Sequence, residues 1–207
     1  EKQAKKQAQL QTLRYQLNPH FMFNSLNTIS AYIHSNPDLA DEVLHELADI
    51  LRYSLDTGEA SSVTLQQELA IIEKYLTIEK ARFGERLIVN KDIADNLLNT
   101  QVPPLILQPI VENAIKHNTH KTALEITINV KKVLRDNKPT LIMSIKDNGE
   151  GFSDEVLIKG FGEGVGMKNL QLRMQQLPSG KVSLSNVVSR SVLSAAQGAI
   201  VTLEMGL

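Results

Sequence analysis

Leu107-Gln108-Pro109-Ile110-Val111-Glu112-Asn113-Ala114-Ile115-Lys116-His117-Asn118 is the stretch on which the reading of this chain turns. A proline pair, Pro103-Pro104, precedes it, and the apolar spacing predicts a helix over residues 105–117. Ile110, Val111, Ala114 and Ile115 supply the packed face. Glu112, Asn113, Lys116 and His117 stand one to four residues apart, so some of them share a face. The amide oxygen of Asn113 can ligate Mg²⁺, and Lys116 can meet a phosphate. Taken alone, the segment also reads as a core helix with a solvated side.

Two glycine-bearing stretches lie downstream. Residues 140–146 alternate as a strand that runs into Asp147-Asn148-Gly149-Glu150-Gly151. A strand end presents a carboxylate rigidly, and the flanking glycines allow unusual dihedrals and close approach of a ligand to the backbone. A buried Asp147 that accepted a hydrogen bond from an exocyclic amine would read adenine; an ordinary turn explains the same residues. Next comes Gly162-Glu163-Gly164-Val165-Gly166-Met167-Lys168-Asn169, ahead of a helix predicted over residues 166–177. Alternate glycines before a helix expose backbone N–H groups to an anion, as a di- or triphosphate requires, and a flexible loop is again the plain alternative. Further strands are expected at residues 87–93 and 125–134, the latter turning near Asp136-Asn137-Lys138-Pro139, and at residues 182–187 and 199–205.

Upstream the pattern is helical. Leu10, Leu13 and Leu17 predict a basic helix over residues 1–17, and Asn18-Pro19 either caps a new helix or kinks a long one. Phe21, Leu26, Ile29 and Ile33 continue an apolar stripe. Asn36-Pro37-Asp38 reads as a turn into a second helix that buries Val43, Leu47, Ile50, Leu51 and Tyr53. Thr64 and Gln67 have capping-box spacing for a third helix, with Leu65, Leu69, Ile72, Leu76 and Phe83 inside and Gly84 at its end. The expected division is a helical segment over residues 1–62 and a mixed α/β domain over residues 63–207.

Composition removes several classes of function. Of 207 residues, 22 are basic and 23 acidic, a net charge of −1 that offers no global grip on DNA or RNA. No cysteine is present, so neither a disulfide framework nor a thiolate metal site is available. His117 and His120 lack an evident third ligand, and Ser179-Gly180-Lys181-Val182 lacks the spacing of a phosphate-binding P-loop. Tyr15 to Pro37 is free of Asp, Glu, Lys and Arg, but its asparagines, His20 and Pro19 make it too polar to cross a bilayer. That charge-poor stretch instead suggests burial against a second subunit. The chain opens on Glu1 rather than Met, and the expectation is a piece of a longer protein.

The three boxes together, in this order and on these elements, resemble the Bergerat-type ATP-binding fold of histidine kinases and related ATPases. Glu112-Asn113-Ala114-Ile115-Lys116-His117 is similar to the N box, Asp147 to Gly151 to the G1 box, and Gly164-Val165-Gly166-Met167 to the G2 box. The resemblance implies an α+β chain: a helical hairpin, then an α/β sandwich with a mixed, mostly antiparallel sheet. It further implies that Asn113 holds Mg²⁺, that Asp147 binds the adenine amino group, and that Lys116, His117, Gly149, Gly151, Gly164, Gly166 and Met167 complete an ATP site. Residues 152–163 would be a short lid.

Leu17-Asn18-Pro19-His20-Phe21-Met22-Phe23-Asn24-Ser25-Leu26-Asn27 resembles the phosphoacceptor box of LytS-type sensor histidine kinases. Leu51-Arg52-Tyr53-Ser54-Leu55 and Arg82-Phe83-Gly84-Glu85-Arg86-Leu87 match that group as well. An unperturbed imidazole titrates near about 6.5, so at neutral pH a ring nitrogen is available to attack phosphorus. The implied activity is Mg·ATP-dependent autophosphorylation on His20 in a homodimer, followed by transfer to an aspartate of a DNA-binding response regulator. No direct nucleic-acid contact is expected, and a cytoplasmic core would reach a bacterial membrane only through segments upstream. Phe21 stands where many histidine kinases carry an acidic residue, so the base is left to Glu112 by type, with Asn24 able to orient the ring. Pro109 replaces a second N-box asparagine. The rivals are an ATPase without phosphohistidine and a degenerate module that dimerises and only senses nucleotide.

Overall fold

The computed structural model describes residues 19–57, 60–161, 165–187 and 198–207. The expected helix over residues 1–17, the Asn18 cap and Gly164 lie outside the described residues. The chain forms two compact units. One runs to Gly84 and takes in Gln101–Leu105; the other comprises Glu85–Thr100 and Ile106–Leu207.

The first unit is built on α1 (Pro19–Tyr32), α2 (Pro37–Asp56) and α3 (Leu65–Phe83). Local chemistry starts each of the last two. Asn36 Oδ1 accepts from the Leu39 N–H at 3.3 Å, and Pro37 and Asp38 fill the first turn of α2. On α3 the Thr64 hydroxyl accepts from the Gln67 N–H at 3.2 Å, while Gln67 Oε1 accepts from the Thr64 N–H at 2.9 Å. α2 buries Val43, Leu47 and Ile50 as its spacing requires.

α1 departs from the expected stripe. Phe21 is buried, its ring 4.5 Å from that of Tyr75, but the inward line continues through Ser25 and Thr28, and Leu26 and Ile33 are exposed. The Ser25 and Thr28 hydroxyls donate back to the carbonyls of Phe21 and Asn24 at 2.8 and 2.9 Å, so these polar side chains enter the interior satisfied.

α3 is buried on most sides and carries two buried carboxylates. Glu68 accepts from the Leu105 N–H at 2.7 Å, and Glu79 meets Arg82 at 2.9 Å. Lys74 ties α3 to α2 through Glu46 at 2.8 Å and Asp49 at 2.9 Å, and it holds the Asp49 carboxyl below its ordinary range. α3 therefore groups with the hairpin in the compact unit that runs to Gly84. A short antiparallel pair, β1 (Val63–Thr64) with β3 (Gln101–Val102), brings Gln101–Leu105 back to this unit. Two-residue strands carry no periodicity, so the sequence did not announce them.

The second unit is a five-stranded mixed sheet in the order β2 (Leu87–Ile93), β4 (Leu124–Arg135), β5 (Lys138–Asp147), β7 (Ala199–Gly206), β6 (Lys181–Asn186). β2 runs parallel to β4 and the other pairs are antiparallel. Asp136 and Asn137, both at positive φ, turn β4 into β5 as a two-residue hairpin. Period-two burial marks the covered face: Leu124, Ile126, Ile128 and Val130 on β4, and Ala199, Val201, Leu203 and Met205 on β7. α4 (Gln108–Lys116) and α6 (Val165–Gln175) pack on each other and on the sheet. α4 begins three residues later than the apolar run predicts, because Leu105 takes a left-handed turn at φ 55°. α5 (Asp154–Lys159) is a six-residue helix in the expected lid, capped by Ser153 and ended at Gly160.

Replacing Thr64 by Ala removes the hydroxyl that accepts from the Gln67 N–H and leaves the backbone N–H that donates to Gln67 Oε1. The expected cost is about 1 kcal/mol in urea denaturation, and Gln67→Ala, which removes the remaining half of the box, is expected to add a further, smaller loss.

Candidate functional site

The site is organised by Asp147, the last residue of β5. Leu141, Met143 and Ile145 face the core, and Asp147 continues the same register, so the strand delivers a carboxylate to a buried position. Its Oδ1 accepts from the Gly149 N–H at 2.8 Å and from the Ala199 N–H, on the neighbouring strand, at 3.2 Å. Burial pushes the carboxyl above its ordinary value of 3.8; the bonds from Gly149 and Ala199, the Lys121 charge and the Asn118 side chain oppose that rise only in part.

The glycines here serve packing as well as access. A Cβ on Gly149 would overlap the side-chain amide of Asn118, whose Nδ2 donates to the Ala114 carbonyl at 2.7 Å at the end of α4. Gly149 therefore seats the loop after β5 against α4. Gly151 needs its freedom for a different reason, a φ of 82°. A Cβ on Gly198 would overlap the Asp147 carbonyl, which explains how β7 starts so close to the carboxylate.

A cavity of about 470 Å³ opens over Asp147. Asn113, Lys116 and His117 reach it from α4, Gly151 from the loop, and Met167 from α6. Phe152 and Phe161, at the two ends of the lid segment, also line it, with their rings edge to face at 6.1 Å. Asn186, at the end of β6, clamps the lid's first residue: the Phe152 N–H donates to Asn186 Oδ1 at 2.6 Å, and Asn186 Nδ2 donates to the Phe152 carbonyl at 2.8 Å.

The structure thus brings Asn113, Lys116, His117, Asp147, Gly151 and Met167 to one cavity. Gly149 lies behind that wall, and Gly166 lies beside Pro109 at the start of α6. Glu112 lies on α4 next to Asn113, where it accepts from Gln108. His20 and Asn24 belong to the other unit: His20 is exposed on α1, and Asn24 Nδ2 is 3.2 Å from its Nδ1. Asn118, Gly198, Asn186 and the two lid phenylalanines were not legible as site residues. Asn118 alone had a signal, its place directly after the N-box-like motif.

The chemistry of the wall suits a magnesium–nucleotide complex. Mg²⁺ keeps most of its ligands as water and phosphate oxygens and asks a protein for one or two more, which the Asn113 amide can supply. Among the described residues, no group of three His, Cys, Asp or Glu side chains could hold a metal by itself.

Fold and cavity together define an ATP-binding domain. Residues 103–207 match the family model of histidine kinase-, DNA gyrase B- and HSP90-like ATPases, and residues 8–87 match that of histidine kinases. The chain belongs to the histidine kinase family. It is 35% identical over 182 residues to the sensor histidine kinase/phosphatase LytS of Staphylococcus aureus, covering 83% of this chain and 31% of that protein. It therefore spans about a third of the length of the curated relatives it matches. The Acinetobacter baumannii histidine kinase AdeS has the same fold, with a TM-score of 0.53 at 17% identity over 82% of this chain and 79% of that one. So does the histidine kinase domain of the Erythrobacter litoralis blue-light activated kinase, with a TM-score of 0.51 at 14% identity over 97% and 91%.

Two outcomes follow for this site. Gly149→Ala is expected to lower ADP affinity at least tenfold by calorimetry, and adding Asn118→Ala is expected to recover part of it, since the overlapping atoms are gone (about 1–3 kcal/mol of overpacking). Asp147→Asn keeps an oxygen for the two backbone donors and removes a buried charge. An acid whose folded pKa is raised burdens the folded state once ionised; that burden is absent below the unfolded value and grows as pH rises through the folded value. Melting curves should show Asp147→Asn as no more stable than wild type near about pH 3 and more stable at about pH 7.

Proposed function

We propose that this chain is the kinase core of a two-component sensor, which phosphorylates itself on His20 from Mg·ATP and passes the phosphoryl group to a response-regulator aspartate. The observation that carries this reading is the cavity over a buried Asp147, in a chain whose other unit matches histidine kinases around His20. Adenine is assigned to Asp147, whose Oδ1 is held by backbone donors so that the carboxylate has one orientation in which to accept from the exocyclic amine. The polyphosphate is assigned to Lys116, His117 and the N-terminal end of α6 with Gly164, Gly166 and Met167. Mg²⁺ is assigned to Asn113, where it would neutralise charge on the phosphate oxygens.

Transfer requires the two units to dock. A ring nitrogen of His20 forms a bond to the γ-phosphorus as the bond to the β,γ-bridging oxygen breaks and ADP leaves. The proton displaced from the imidazole goes to Glu112. Asn24 fixes the ring: its amide lies 3.2 Å from Nδ1 and, turned over, accepts a hydrogen bond there instead of donating one. Positioning supplies most of the acceleration.

Exposed Phe23, Leu26, Leu44 and Leu55 on α1 and α2, with Ile33 in the turn between them, support a homodimer formed through the hairpin. Among the described residues no helix is long and apolar enough to cross a membrane. Attachment of this core to a bacterial membrane, and a DNA-binding regulator as the final acceptor, are proposed from the resemblance of the segment around His20 to LytS-type sensor kinases.

Incubation with γ-labelled ATP and Mg²⁺ should give acid-labile, alkali-stable label on the chain. His20→Gln and Asn113→Ala should each abolish it. Label that persists in His20→Gln would overturn the acceptor assignment, and hydrolysis without protein label would favour the ATPase reading.

A further inference from the structure

Gln108 opens α4, one turn before Glu112. It is only 5% exposed, its Nε2 donates to Glu112 Oε1 at 2.7 Å, and its Oε1 is buried with no hydrogen-bond partner. The bond and the orphaned oxygen have one cause. A side-chain amide offers two donors and one acceptor group. Turning it over would set Oε1 against a carboxylate oxygen, so the carboxylate dictates the orientation and leaves Oε1 facing groups that donate nothing. A buried, unpaired carbonyl is costly, whereas Met at the same place would fill similar space with no polar group to satisfy. For folding alone Gln108 is a poor choice. A residue that breaks a packing rule in order to grip one carboxylate is expected where function sets the choice.

We propose that Gln108 is a positioning residue for autophosphorylation: its amide N–H holds the Glu112 side chain in the rotamer that takes the proton from His20. The inference rests on Glu112 as the proton acceptor. Gln108 exchanges no atoms; the proton passes from the imidazole to the Glu112 carboxylate as the phosphoryl group passes from ATP to the ring nitrogen. Its hydrogen bond to a charged partner is of the strong class and fixes the carboxylate oxygen that it grips.

The test compares Gln108→Met, Glu112→Gln and the double variant of the whole chain by autophosphorylation rate, ADP affinity and melting temperature. Glu112→Gln should slow labelling about a hundredfold or more. Gln108→Met should slow it about tenfold, with ADP affinity unchanged and melting temperature equal or higher. The double variant should be no slower than Glu112→Gln alone, because a residue that acts only through Glu112 has nothing left to position. Gln108→Met at the wild-type rate, with Glu112→Gln slow, overturns the inference and leaves the proton acceptor standing. A lower melting temperature with rate losses that multiply makes Gln108 a structural residue and overturns it too. Glu112→Gln at the wild-type rate removes the proton-acceptor reading and the inference with it.

Discussion

The burial of one carboxylate, Asp147, sets the terms for the rest of the second unit. A charge in that position needs donors, and the chain supplies them from two separated places: Gly149 in the following loop and Ala199 on the next strand. Each donor constrains its own segment. Gly149 must lack a Cβ to fit against Asn118, and Gly198 must lack one to let β7 begin beside the Asp147 carbonyl. The net effect still lifts the carboxyl above its ordinary value, so the site holds an ionised Asp147 at a cost to the fold. Such a cost fits the adenine site proposed above, since a buried acceptor left unpaired rejects any base that cannot donate to it.

The first unit rests on different physics. Its helices are fixed by caps and by buried polar groups that find partners within the unit: Ser25 and Thr28 on their own helix, Glu68 on the Leu105 N–H, and Lys74 between Glu46 and Asp49. Burial also pushes the Tyr53 phenol upward, with the Glu68 charge adding to the shift. Satisfying the interior with small hydroxyl residues leaves Leu26 on the outside of α1 and Ile33 exposed just after it, where a helical hairpin that pairs with a second copy would want them.

Much of this was legible in the sequence, for reasons that can be named. Alternation gave β2, β4, β5 and β7, and because Asp147 extends the register of Leu141, Met143 and Ile145, its burial followed from the strand itself. Thr64 with Gln67 and Asn36 with Pro37 announced helix starts through short-range chemistry. What stayed hidden depends on contacts remote in the chain. Nothing local marks Gly198 as the neighbour of Asp147, or Asn186 as the clamp on Phe152. Hydropathy does not report the left-handed turn at Leu105 that delays the start of α4, and Ser25 and Thr28 look like surface residues until their hydroxyls bond backward, which hides the inward side of α1.

ADP and IDP differ at the 6-position of the base, where an amino group is replaced by an oxo group, so their relative binding to the wild-type chain by calorimetry tests the account most directly. With Asp147 reading the amine, IDP should bind about a hundredfold more weakly than ADP, or not measurably. Equal affinities would contradict the adenine role of Asp147 and the site built around it.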